Sequence, residues 1–220
     1  MMRALLALAV LCSGCGIPSA ECTSAAPDRC GATATQPAGP PDAGVGSTIM
    51  LVGDSITAQW AAGHWPAGTV NAGIGGNWAC NAEHPSQPAP LIVAQAGWYV
   101  PSVIYIMLGV NDNGDAAHIW ACLQADVELL RAWYPGVHVR ILSNIPLGAA
   151  SAQCAVLNAK LATLRGLIAS GPYDYLDTAT VMTCGETCGG LPALCSTYTT
   201  DGVHLIAAGY TAWAAALGLP

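Results

Sequence analysis

The chain has 220 residues and a formal net charge of −7 at pH 7, with 9% of its residues charged and 53% hydrophobic. This length suits one domain of ordinary size, with or without a tether. The six basic residues are scattered, so they form no basic stripe for nucleic-acid phosphates. The apolar content is too high for a disordered chain, and no internal apolar run approaches the ~18 residues of a spanning helix.

Residues 1–15 are typical of an export signal, because Arg3 precedes a short apolar run that ends in small residues. The ending at Cys15 is similar to the bacterial lipoprotein cleavage box, in which Cys15 becomes the lipidated first residue. An ordinary signal cut near Ala20 is the alternative. We therefore predict an exported protein, either a lipoprotein of the cell envelope held to the membrane by that anchor alone or a secreted protein.

The number of cysteines supports export. Ten are present, and eight remain once Cys12 and Cys15 are set aside. An even number in an exported chain predicts up to four disulfides, among Cys22, Cys30, Cys80, Cys122, Cys154, Cys184, Cys188 and Cys195. Proximity in the sequence and in the expected fold suggests the pairs Cys22–Cys30 and Cys80–Cys122. Zinc is the alternative for the last three cysteines, but no second ligand pair has finger-like spacing, so we predict no metal.

The remaining chain divides into a tether and one domain. Residues 16–46 are rich in Pro, Ala, Gly, Ser and Thr and predict a flexible tether, followed by a domain over 47–220. Short apolar runs predict buried strands over 48–52, 69–72, 103–108, 137–142 and 173–176. Apolar residues at helical spacing predict helices over 116–134 with Asp115 as cap, 154–168 with Ser151 as cap, and 206–217. This alternation predicts a parallel sheet covered by helices on both faces.

Polar, glycine-rich segments follow these strands. They are Gly53-Asp54-Ser55, Asn71 to Asn77, Gly109-Val110-Asn111-Asp112 and, after a long cysteine-bearing loop, Asp201-Gly202-Val203-His204. The carboxyl ends of parallel strands meet at one edge of a sheet, so these segments can converge there. A serine hydroxyl needs an adjacent base to become a nucleophile, and His204 is the one histidine in such a segment. Asp201, three residues earlier, would orient it.

Other motif assignments fail on particular residues. Gly73-x-Gly75 is not a dinucleotide fingerprint, because Trp78 occupies the position of the last glycine. The chain has no Gly-x-Ser-x-Gly elbow, which argues against an α/β-hydrolase. The phosphate-loop chemistry of a cofactor-binding flavodoxin-type protein is also missing. The order Ser, Asp, His in an α/β chain differs from that of the chymotrypsin-type proteases.

Residues 47–218 resemble the SGNH hydrolases, the GDSL-type esterases and lipases, whose motif blocks occur here in order. The resemblance implies a flavodoxin-like three-layer α/β/α sandwich with a five-stranded parallel sheet, and no cofactor. It implies a catalytic triad of Ser55, Asp201 and His204. It also implies an oxyanion hole made by the main-chain N–H groups of Ser55 and Gly76 and the side-chain amide of Asn111. Asn77 departs from the pattern, because many relatives similar to the platelet-activating-factor acetylhydrolases have Asp there.

We therefore predict an exported, monomeric serine esterase acting on a small-molecule or glycan ester. Short acyl groups such as acetyl are favoured, because the short chain shows no obvious lid for a long one. Carbohydrate O-deacetylation, lysophospholipid cleavage and thioester cleavage are alternatives of the same fold, and a non-catalytic surface-binding protein is a remote one.

Several neighbouring residues have ordinary structural explanations. Asp54 and Asp112 are expected to be turn or cap acceptors rather than catalytic groups. Three tryptophans either line a substrate pocket or belong to the core: Trp60, Trp65 and Trp78. The remaining histidines are expected to be structural or exposed at the surface: His64, His84, His118 and His138.

Overall fold

The computed structural model of the protein describes residues 49–60, 65, 68–80 and 101–219. Five strands form one parallel sheet in the order β2-β1-β3-β4-β5. They are β1 (Ile49–Gly53), β2 (Thr69–Gly73), β3 (Val103–Met107), β4 (His138–Leu142) and β5 (Asp174–Leu176). This confirms the five predicted strands to within one residue at each end. The order is that of flavodoxin-like sheets, in which ligands bind where the strand order reverses, between β1 and β3.

Four α-helices are described: α1 (Ser55–Ala58), α2 (Ala116–Trp133), α3 (Cys154–Ser170) and α4 (Ala207–Ala216). Asp115 caps α2 as predicted, because its side chain accepts a hydrogen bond from the main-chain N–H of His118 at 2.8 Å. The predicted cap of α3 is wrong. Gln153 stands at that position without a side-chain cap, and Ser151 lies in the preceding turn.

The buried residues form two cores, one on each face of the sheet. Successive strand residues point to opposite faces, so Met50 and Val52 of β1 join one core while Leu51 joins the other. The first core contains the apolar stripes of α2 and α3, including Leu123. The second contains the aromatic residues of α4. The described residues therefore form the predicted three layers, with the sheet in the middle.

A feature that the sequence did not predict lies between β5 and α4. The segment expected to be a long loop contains two short 3₁₀ helices, Thr180–Met182 and Ser196–Tyr198, and an antiparallel hairpin between them. The hairpin strands are β6 (Thr183–Cys188) and β7 (Leu191–Leu194). These strands are of mixed composition and no residue of β6 is buried, so the sequence shows no alternation of apolar and polar residues there.

Residues 1–46 lie outside the described residues, so the signal, the lipidation of Cys15, the tether and the pair Cys22–Cys30 stay predictions. Within the described residues, no helix combines the length and the apolar character needed to cross a bilayer.

Candidate active site

The serine of the first motif lies at the junction of β1 and α1. Asp54 precedes the helix, and its carboxylate accepts a hydrogen bond from the main-chain N–H of Ile56 at 2.9 Å. Ser55 is therefore the first helical residue, at the carboxyl end of β1 and half-buried. Gly53, the last residue of β1, must lack a side chain, because a Cβ there would lie 2.1 Å from Oγ1 of Thr57.

Three side chains from distant parts of the chain meet beside this turn. The Nε2 atom of His204 lies 3.1 Å from Oγ of Ser55, across 149 residues of sequence. The other ring nitrogen of His204, Nδ1, lies 2.7 Å from Oδ2 of Asp201. Both distances are within hydrogen-bond range. The imidazole therefore bridges the carboxylate and the hydroxyl, which is the arrangement of a nucleophile, its general base and the residue that orients the base.

The segment carrying Asp201 and His204 is a tight turn pinned on both sides. Thr199 pairs with Leu205 as an antiparallel bridge that closes it. Gly202 has a φ of +77°, and a Cβ there would lie 2.5 Å from the main-chain nitrogen of Ser151. Any larger residue at this position would therefore displace the turn.

The carboxylate of Asp201 is held by the turn itself. Its Oδ1 atom accepts the main-chain N–H groups of Val203 and His204, each at 2.8 Å. Partial burial acts to raise the pKa of Asp201, but the hydrogen bond with the His204 ring and these two main-chain bonds outweigh it. The pKa of Asp201 therefore lies well below its ordinary value. The group is a carboxylate at neutral pH, which favours a proton on Nδ1 of His204 and leaves Nε2 as the acceptor facing Ser55.

Two of the three predicted oxyanion donors, Gly76 and Asn111, lie on the loops that follow β2 and β3. Gly76 has a φ of +72° and is exposed. Asn111 donates one side-chain N–H to the main-chain oxygen of Asn77 at 3.1 Å. A side-chain amide carries two N–H groups, so this bond fixes the orientation of the amide and leaves a second donor for a substrate oxygen.

Asn71, the first residue of the second motif, has a structural role. Its side chain donates to the main-chain oxygens of Thr57 at 2.7 Å and Trp60 at 3.2 Å. It also accepts the main-chain N–H of Gly73 at 2.9 Å. These bonds tie the end of β2 to α1 and so support the turn that carries Ser55.

The two aspartates beside the motifs accept main-chain hydrogen bonds, as their sequence context indicates. Asp54 caps α1, and Asp112 accepts the N–H groups of Ala79 and Cys80. Burial raises the pKa of Asp54 to about 7, and the negative charge of Asp112 acts in the same direction.

The tryptophans and histidines separate into core and surface groups. Trp60 is 1% exposed, with its ring centroid 4.9 Å from that of Trp213, so it is a core residue rather than a pocket wall. Trp78 is also buried, and Trp65 packs edge-on against Trp60. His138 is exposed and lies 2.6 Å from Asp174, whereas His118 is half-buried. His64 and His84 lie outside the described residues.

The six described cysteines form three disulfides. The predicted pair Cys80–Cys122 is present and joins the loop after β2 to α2. Cys184–Cys195 spans the β6–β7 hairpin, and Cys154–Cys188 joins that hairpin to α3. The bridges therefore brace the segment that leads to Asp201 and His204. The last two pairings depend on a hairpin that the sequence pattern does not reveal.

Two groups of side chains in the described part could offer metal ligands. One is Cys80, His118 and Cys122, and the other is Cys184, Glu186 and Cys195. In both groups the two cysteines are bonded to each other, so the thiolates that zinc prefers are not available while the disulfides are intact.

No protein-family model matches the chain, and no curated protein matches it. Solved structures do. A protein from Streptococcus pneumonia, provisionally described as a platelet activating factor, is 24% identical over 79% of this chain and 84% of that one, with a TM-score of 0.64. The chain has the fold of the SGNH hydrolases.

Two further structures carry the same fold. A GDSL-like lipase from Bacteroides thetaiotaomicron is 20% identical over 78% of this chain and 86% of its own, with a TM-score of 0.57. An acetyl esterase variant with an acetate ion is 20% identical over 78% and 94%, with a TM-score of 0.52. The predicted fold class is thus confirmed by neighbours of SGNH-hydrolase architecture.

Proposed function

We propose that the chain is a serine ester hydrolase in which Ser55 is the nucleophile, His204 the general base and Asp201 the residue that orients it. One observation carries this proposal. The ring of His204 lies within hydrogen-bond distance of Ser55 on one side and of Asp201 on the other, at 3.1 and 2.7 Å. The likeness in fold to a GDSL-like lipase and an acetyl esterase supports the same reaction class.

The reaction would proceed through an acyl-enzyme. Oγ of Ser55 attacks the ester carbonyl carbon while Nε2 of His204 takes the hydroxyl proton. His204 then returns that proton to the departing alkoxide, and a water molecule activated by the same nitrogen hydrolyses the acyl-enzyme. The carbonyl oxygen becomes negatively charged in both steps. Its donors would be the main-chain N–H groups of Ser55 and Gly76 and the second amide N–H of Asn111.

We propose short acyl groups, acetyl above all, as the natural substrates. The side chains of His204 and Asp201 are 33% and 51% exposed, so the triad lies close to the surface. A shallow site leaves little apolar area for a long acyl chain, and each buried methylene contributes about 0.8 kcal/mol to binding. The bound acetate in one structural neighbour agrees with this preference. An O-acetylated glycan would meet the same requirement, because only its acetyl group must reach Ser55.

We also propose that the protein is exported and acts as a monomer, in the cell envelope if Cys15 is lipidated. The three disulfides of the described residues support an oxidising compartment, because thiols remain reduced in the cytosol. Mass spectrometry of the membrane fraction would test lipidation of Cys15.

Hydrolysis of nitrophenyl esters of increasing acyl length tests the function. The protein should be produced under oxidising conditions and compared with Ser55→Ala. We expect activity that declines beyond acetyl and is lost in the variant. Activity that rises with acyl length would favour a lipid substrate. A folded protein inactive on these esters, on thioesters and on acetylated sugars would refute hydrolysis and favour a binding role.

A further inference from the structure

Two loops beside the nucleophile are joined to each other by three hydrogen bonds. We call residues 74–80 the Gly76 loop and residues 108–115 the Asn111 loop. Asn111 donates to the main-chain oxygen of Asn77 at 3.1 Å. In the reverse direction, Asp112 accepts the N–H groups of Ala79 at 3.0 Å and of Cys80 at 2.8 Å. Each loop thus provides a donor and an acceptor to the other, more than thirty residues away in sequence.

Asp112 provides two of these three bonds, and it uses a different oxygen for each. Oδ2 faces Ala79 and Oδ1 faces Cys80. The residue is 2% exposed, so water does not replace these bonds when they are lost. Hydrogen bonds to a carboxylate are roughly twice as strong as neutral ones. Only a carboxylate can accept both N–H groups, because an asparagine in the same place would present an N–H to one of them.

The main chain at Asp112 is also held by a side chain of α3, which packs on one face of the sheet. Nζ of Lys160, on α3, donates a hydrogen bond to the main-chain oxygen of Asp112. Burial acts to lower the pKa of Lys160, and the negative charge of Asp112 opposes that effect. Lys160 therefore holds the residue that follows Asn111 and also provides a positive charge near the buried carboxylate.

The far end of the Gly76 loop is fixed covalently. Cys80, whose N–H binds Asp112, is disulfide-bonded to Cys122 on α2. The helix α2 begins directly after the Asn111 loop, at the Asp115 cap. Both loops are thus anchored to the same helix, and the Asp112 carboxylate lies between the two anchors.

We propose that Asp112, supported by Lys160, is a positioning residue of the oxyanion hole. It sets the distance between the Gly76 loop and the Asn111 loop, and hence between the main-chain N–H of Gly76 and the amide of Asn111. The inference rests on the proposed function, because it assigns no contact with substrate to Asp112. Its effect on catalysis passes through two donors that must both reach one developing oxyanion.

The first test is the kinetics of Asp112→Asn with nitrophenyl acetate. Misplacement of reacting groups by about 1 Å costs on the order of 100-fold in rate, so we expect kcat to fall by about 10–100-fold. KM should change by less than about threefold, because the lost interaction is made mainly in the transition state. The pH dependence of hydrolysis should match that of the wild type, because the triad is not disturbed. Asp177→Asn is the control and should leave kcat near that of the wild type, because Asp177 is exposed and accepts both of its main-chain N–H groups on one oxygen, which an asparagine keeps.

A double-mutant cycle with Asn111→Ala separates positioning from general destabilisation. If Asp112 acts through the hole, Asp112→Asn should cost much less in kcat once Asn111 has been removed. Fully additive losses, or an unchanged kcat in the folded single variant, would overturn the inference. If Asp112→Asn does not fold by circular dichroism, Lys160→Met decides in its place. A several-fold loss of kcat at constant KM would support the inference, and wild-type kcat would overturn it.

The proposed function is tested separately from the role of Asp112, by comparing the wild type with Ser55→Ala. Wild-type turnover that Ser55→Ala abolishes establishes hydrolysis before any loop variant is measured. Once hydrolysis is established, an unchanged kcat in Asp112→Asn or Lys160→Met overturns only the positioning role of Asp112. A wild-type protein without turnover would overturn both conclusions.

Discussion

Replacing Asp201 with asparagine removes the charge that faces His204 while the side chain keeps its size. Oδ1 already accepts two main-chain N–H groups of the turn, from Val203 and His204. The asparagine oxygen will keep these bonds, so its NH₂ group must face Nδ1 of His204. Nδ1 must then act as an acceptor, which places the ring proton on Nε2, the atom that should take the proton of Ser55.

The expected loss can be bounded from the exposure of the carboxylate. In a serine protease with a buried triad aspartate, the same exchange lowers kcat by about 10⁴-fold through the wrong tautomer. The side chain of Asp201 is 51% exposed, so water screens its charge and can assist His204 in the variant. We therefore expect Asp201→Asn to lower kcat by about 10²–10³-fold, less than in the buried case.

Steady-state hydrolysis of nitrophenyl acetate measures this loss, with thermal unfolding to show that the variant is folded. Asp177→Asn is the matched control, because Asp177 also accepts main-chain N–H groups on one oxygen at an exposed position but follows β5, outside the triad and both loops. Its kcat should stay near that of the wild type. A folded Asp201→Asn variant with kcat within about threefold of the wild type would refute the assigned role of Asp201.

Three further predictions concern the oxyanion hole, a buried carboxyl and a disulfide. Asn111→Ala should lower kcat by about 10²–10³-fold without unfolding the domain, and unchanged turnover would remove Asn111 from the site. Burial raises the pKa of Asp54 to about 7 in the folded state, whereas the unfolded chain loses this proton at about pH 4. The free energy of unfolding should therefore fall as the pH rises from about 4 to 7. Asp54→Asn should reduce that fall by at most about 4 kcal/mol, measured by urea unfolding across this range, and an identical fall in both proteins would contradict it. Replacing Cys184 and Cys195 with serine should lower the free energy of unfolding by about 3 kcal/mol, because the disulfide closes a short loop and restricts the unfolded chain. A variant with the same urea midpoint as the wild type would disprove that contribution.

Much of the fold follows from local sequence patterns. The runs at β1 and β3 are short and almost entirely apolar because their side chains are buried on both faces of the sheet. Parallel strands bring their carboxyl ends to one edge, so the meeting of Ser55, Asp201 and His204 could be inferred without coordinates.

The remaining features depend on tertiary contacts that leave little local signal. In the β6–β7 hairpin no residue of β6 is buried, so its sequence lacks the alternation that marks a half-buried strand. The partner of Cys154 lies in that hairpin and could not be chosen before the hairpin was known. Asp112 has the sequence context of a turn acceptor, but its two partners belong to another loop more than thirty residues away, which no local pattern indicates.

The activation of Ser55 by His204 is the central claim, and covalent labelling tests it most directly. A fluorophosphonate ester reacts with an activated serine by forming an O–P bond while fluoride leaves and the base takes the hydroxyl proton. Mass spectrometry should find one adduct, on the peptide that contains Ser55, and none in Ser55→Ala or His204→Ala. An unlabelled wild-type protein that is folded, or an adduct that persists in Ser55→Ala, would contradict the assignment of Ser55 as the nucleophile.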